Sequence, residues 1–147
     1  MDMHAEIWAL LAALCWAGGS MLEKRGVGLG GFSPVMGAAI RTIVSLALLL
    51  VISHPFWGQV RDSGPKPILL VALGGGILSG GLGIIFLYTG LKSGNISTVM
   101  TIAFCFAPVI GTVLGYFILK ERISPVQLAG IILCVTGAAM TVYFRKP

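Results

Sequence analysis

Five apolar runs, at residues 7–22, 34–52, 68–91, 96–119 and 126–144, dominate this chain of 147 residues. All but the first approach the roughly 20 residues a helix needs to cross the hydrocarbon core of a bilayer. A small soluble fold leaves much of its chain exposed, so it cannot hide this much apolar surface. Only 10% of the residues are charged and the mean hydropathy is +0.97, whereas soluble domains carry about a quarter charged residues. Lipid is the expected cover. Backbone polar groups in lipid must be satisfied within the segment, so all five runs are expected to be helices. The expected class is all-α and integral to the membrane: a bundle of about five transmembrane helices, one domain over residues 1–147, with no room for a soluble domain.

The breaks between runs carry their own signals. Gly26, Gly28, Gly30 and Gly31 are expected to end the first run, which Glu6 and Glu23 would lengthen by reaching the interface. Ser33 and Pro34 open the second, as N-cap and first helical residue. His54-Pro55 closes it, and the longest loop follows, over residues 53–67. Residues 92–95 read as a tight turn, and Ser124-Pro125-Val126-Gln127 as a capping box that starts the fifth helix. Trp8, Trp57 and Tyr143 fall near the expected interfaces. The first residues carry Asp2 and Glu6 rather than Lys or Arg, and no A-x-A-like site follows, so the first run is expected to be a retained span.

The net charge of +5 comes from Lys and Arg residues spread singly or in pairs between the apolar runs. That suits membrane-flanking charge, and nucleic acid is not an expected partner. With five spans, one side holds Arg61, Lys66, Lys120 and Arg122, and the other Lys24, Arg25, Lys92, Arg145 and Lys146. Four against five gives the positive-inside rule almost nothing to act on. Either a few residues dominate or the chain inserts both ways.

The fourth run holds Ser97, Thr101, Cys105, Pro108, Thr112 and Tyr116 at spacings of four, four, three, four and four. That places them on one helical face. Such a stripe suits the wall of a substrate path, or the close helix packing that small and polar residues permit in membranes. Pro108 interrupts the backbone ladder mid-span and marks a kink, a hinge or a contact site. The third run is dense in glycine, from Gly74 to Gly90, and favours close helix approach. Arg41 lies roughly 10 Å into the second run at 1.5 Å per residue. Intramembrane charge is costly and marks function or pairing, unless the side chain snorkels. Glu23 is its expected partner, with Lys24 beside it in a small charged cluster. Lys120, Glu121 and Arg122 read as a solvated turn.

Cys15, Cys105 and Cys134 lie inside apolar runs with no metal-ligand spacing, and are expected to be free, buried, small hydrophobes. His4 and His54 have no carboxylate or cysteine at useful spacing, and no glycine loop is placed to cradle phosphate. Neither an enzyme, a cofactor nor a metal site is expected.

Residues 88–99, Y-T-G-L-K-S-G-N-I-S-T-V, resemble the Y-x-A-L-x-x-x-x-A-x-x-A hairpin of the EamA-type drug/metabolite transporters. The proline at Pro108 and the stretch 119–137, with Glu121, Gln127, Gly130 and Gly137, follow the same pattern. Trp16, Lys24, Pro34 and Arg41 match its first half more loosely. The resemblance covers nearly the whole chain. Gly90 stands where the family usually has Ala, and Lys120 where Gly is frequent. Relatives typically have ten spans in two inverted halves, so the resemblance implies a five-helix half that works as an antiparallel homodimer, an arrangement also similar to the small multidrug resistance proteins. It implies a secondary transporter or exporter of metabolites, amino acids or drugs, acting by alternating access in the cell membrane, a bacterial or archaeal inner or plasma membrane. Its partners would be lipid, a small-molecule substrate and a second copy. The residues expected to line such a path, from the stripe and the buried charge, are Arg41, Tyr88, Ser97, Thr101, Cys105, Pro108, Thr112 and Tyr116, with Glu23 and Lys24 for coupling or ion pairing. The competing readings are an accessory subunit of a heteromeric transporter and a flippase for a lipid-linked intermediate.

Overall fold

The computed structural model describes residues 3–144, and every regular element among them is a helix. Asp2, Arg145 and Lys146, and the side chains of His4 and Glu6, lie outside the described residues. The chain divides into two compact units, Met1–Ser93 and Gly94–Pro147.

In the first unit, α1 (Met3–Gly30) is followed by α2 (Pro34–Ser53). The expected stop at Gly26 does not occur: the helix runs through Gly26 and Gly28 and ends only at Gly31, whose φ of +61° is left-handed. The Phe32 N–H bonds back to the Val27 carbonyl at 3.2 Å, the longer of the two bonds of a Schellman cap. A helical glycine costs about 1 kcal/mol against alanine, and α1 tolerates it because Val27 packs into the unit. Ser33 caps α2 as its sequence predicts, accepting from the Met36 N–H at 3.2 Å.

The 53–67 segment is not irregular. It holds a 3₁₀ turn, His54–Phe56, and the short helix α3, Gly58–Asp62. Gly64, with φ +74°, precedes α4 (Pro65–Val71). The third apolar run then widens into a π-helix, Ala72–Gly83, before α5 (Ile84–Ser93). π-Helices seldom exceed one turn. Here glycine permits a longer one: a Cβ on Gly80 would stand 2.6 Å from the carbonyl oxygen of Gly75, five residues back. Within this unit α2 and α1 both pack on α5. The closest approach is at Gly37, where an added Cβ would meet the Tyr88 ring at 2.7 Å and Val27 at 2.9 Å.

In the second unit, α6 (Ile96–Leu114) continues as a short π-helix, Gly115–Leu119, and pairs with α7 (Pro125–Tyr143). Lys120 ends the π segment in the left-handed region, with φ 54°. The capping box is formed: Gln127 N–H donates to Ser124 Oγ at 3.2 Å, and Ser124 N–H donates to Gln127 Oε1 at 2.8 Å.

Among the described residues four helical stretches are long and apolar enough to cross a membrane: Pro34–Phe56, Pro65–Ser93, Ile96–Leu119 and Pro125–Tyr143. α1 is not one of these four, which are counted among the described residues alone. Large side chains such as Val51, Val71 and Leu133 are exposed along the four, which is the surface of a chain covered by lipid or by other protein.

Candidate functional site

In the first unit, charge is drawn to one place. Glu23 lies on α1, past the apolar run, and Arg41 lies on α2 about two turns from its start. Their side chains meet, with Arg41 Nε 2.9 Å from Glu23 Oε1 and only 33% and 21% exposed respectively. Tyr88, on α5 and 3% exposed, borders the same cavity as that carboxylate. Glu23 therefore has its countercharge on a second helix, as a desolvated carboxylate needs if it is to stay charged at tolerable cost.

Two lysines close the end of this cluster. Lys24 Nζ donates to the carbonyl of Leu91 at 2.9 Å, and Lys92 Nζ to that of Phe32 at 3.1 Å. Leu91 is in the last turn of α5, where carbonyls lack helical partners and cations are favoured. A cavity of about 140 Å³ opens among Glu23, Lys24, Tyr88 and Lys92, with Val27 and Leu91 as its apolar wall. Three cations, Lys24, Arg41 and Lys92, stand here around one carboxylate, so the cluster is suited to an anionic group.

The second unit brings together another part of the expected set. Pro108 and Thr112 line a cavity of about 400 Å³ with Glu121, Arg122, Gln127 and Cys134. Glu121 and Arg122 are thus cavity residues as well as turn residues. The left-handed Lys120 and the 3.1 Å bond from the Glu121 N–H to the Gly115 carbonyl fold this segment back on the helix end, and a Cβ on Gly115 would stand 2.8 Å from Glu121 Oε2. Cys105 turns toward α7, its sulfur 2.6 Å from that of Cys134. Cys15 is exposed rather than buried.

The expected residues are therefore split. Glu23, Lys24, Arg41 and Tyr88 gather in the first unit; Pro108 and Thr112 border the second cavity, and Cys105 meets Cys134, one of its lining residues. Ser97 and Tyr116 are exposed, and Thr101 is half-buried. Tyr116 falls in the π segment, where the helical spacing that defines the stripe no longer applies. Sequence reasoning missed Gly37, Leu91, Gln127 and the Cys105–Cys134 pairing. Only Gln127 left a local signal, its place in the capping box.

The profile of the EamA-like transporter family matches residues 3–143. Comparison with curated proteins and with solved structures gives no match.

Proposed function

This chain belongs to the EamA-like transporter family, and on that premise we propose that it is a small secondary transporter or exporter whose solute path passes the Glu23–Arg41–Tyr88 cluster. The observation that carries the proposal is the ion pair itself: two charges on two different helices, beside the buried Tyr88 of a third, in a chain with almost no other charge inside its apolar segments. Intramembrane charge of this kind marks substrate or ion pathways.

The cavity at the cluster, about 140 Å³, is smaller than the roughly 300–1,000 Å³ of small-molecule pockets. It would take one end of a solute. The surplus of cations favours a carboxylate or another anionic end, as in a metabolite or amino acid. A second copy of this chain, inserted antiparallel, would supply the opposing half of the path, and the near balance of flanking charge would permit both insertions. The two copies would rock about the shared site in alternating access.

The test compares solutes released by cells overproducing the chain with those released by cells deleted for it. An anionic solute should accumulate outside only in the overproducing cells, and Arg41→Gln, present in the membrane at the same level, should abolish that accumulation. Identical release from both strains would refute the proposal.

A further inference from the structure

Cys105 and Cys134 are 29 residues apart in sequence, and their sulfurs lie 2.6 Å from each other between α6 and α7. Both are half-buried thiols, and the proposed transport function gives their sulfur chemistry no role. Cys134 lines the 400 Å³ cavity beside Thr112, Gln127 and Glu121, which gives a small reagent a route to one of the two sulfurs. A disulfide bond is about 2.05 Å long, so the two sulfurs are already neighbours within reach of one. Thiol reactivity follows thiolate character, access and a neighbouring resolving thiol; this pair supplies the last two.

We propose that Cys105 and Cys134 are a modification site, a dithiol that an organic hydroperoxide converts to a disulfide joining α6 to α7. The Cys134 sulfur attacks the terminal oxygen of the hydroperoxide. The O–O bond breaks, the alcohol leaves with the thiol proton, and Cys134 becomes a sulfenic acid. The Cys105 sulfur then attacks the Cys134 sulfur. The S–O bond breaks and water leaves, carrying the Cys105 proton. The two sulfurs together give up two electrons, and the peroxide takes both. The bond lies one turn from Pro108 and would hold α6 and α7 together at the cavity wall.

The test uses the full chain in detergent, treated with tert-butyl hydroperoxide, then denatured and alkylated with N-ethylmaleimide for intact-mass analysis. Untreated protein should take three alkyl groups. Treated protein should take one, at Cys15, with a mass lower by two hydrogens at the other two sites and one linked peptide pair containing Cys105 and Cys134. Dithiothreitol should restore all three. In Cys105→Ala the intermediate has no resolving thiol, so dimedone should label Cys134 in the treated sample. Three alkyl groups after treatment would overturn the proposal, as would a disulfide between two copies or one that includes Cys15.

Discussion

Arg41 and Glu23, on different helices, meet through a 2.9 Å contact from Nε to Oε1 while remaining largely shielded. An exposed pair contributes about 0–1 kcal/mol, whereas breaking a fully buried one costs about 3–5 kcal/mol. At one-third and one-fifth exposure this pair falls between, so losing either partner should cost about 2 kcal/mol. Arg41→Gln and Glu23→Gln should each lower the Tm in detergent, and the double variant should recover more than half of the summed loss. Strictly additive losses would mean that the two side chains do not depend on each other.

Gly37 sets how closely α2 approaches Tyr88. A methyl group there would press on the ring at 2.7 Å and on Val27 at 2.9 Å, and Tyr88 is too deeply buried to step aside freely. Gly37→Ala should cost about 1–3 kcal/mol, in line with overpacking, and should weaken transport by displacing the Tyr88 ring at the cavity wall. Gly26→Ala meets nothing within 4 Å and should hold or raise the Tm, since alanine is the better helix former. Equal effects of the two changes would remove the close approach as the cause.

Flanking charge, four Lys and Arg against five, predicts dual insertion. A C-terminal fusion should be active with both a cytoplasmic and an external reporter. Two added lysines in the 53–67 loop should place that loop inside in nearly all molecules. A C-terminus on one side only, before any lysine is added, would defeat the antiparallel arrangement.

The glycines of the third run predict more than close packing. Gly80 leaves room for the Gly75 carbonyl at the π turn, where a Cβ would stand at 2.6 Å. Gly80→Ala should push that turn back toward α geometry and rotate α5, carrying Tyr88 and Lys92 out of place. Gly74→Ala, with nothing within 4 Å, is the control. The expected loss for Gly80→Ala is about 1–3 kcal/mol, read as Tm, with the Glu23→Gln penalty shrinking in that background. An unchanged Tm would show that the π turn does not need glycine at this position.

Local chemistry made some boundaries legible. Ser33-Pro34 and the Ser124–Gln127 box each name a helix start, and both caps form. The Arg41–Glu23 pair was legible because a charge this deep needs a partner and Glu23 was near the same mouth. The run of α1 through Gly26 and Gly28 was not, because packing at Val27 outweighs a weak local preference. Nor was the π stretch, which shares its apolar composition with an α-helix and differs only in hydrogen-bond register. The Cys105–Cys134 contact depends on how α6 pairs with α7, a relationship that no spacing within either helix encodes.

Lys120 closes the π segment with φ 54° and ψ 34°, a conformation that costs a residue with a side chain about 1–2 kcal/mol and glycine almost nothing. Glycine pays part of that back through its looser unfolded chain. The net expectation for Lys120→Gly is a gain of about 0.5–1 kcal/mol, at the position where the resemblance also places Gly. Lys120→Ala removes the same charge and keeps the strain, so it should show no gain. The comparison of the two by Tm separates backbone from charge: a rise for Gly alone assigns the effect to the left-handed backbone, an equal rise for both assigns it to the ammonium, and a fall for Gly would mean that the Lys120 side chain holds the 120–124 turn in place.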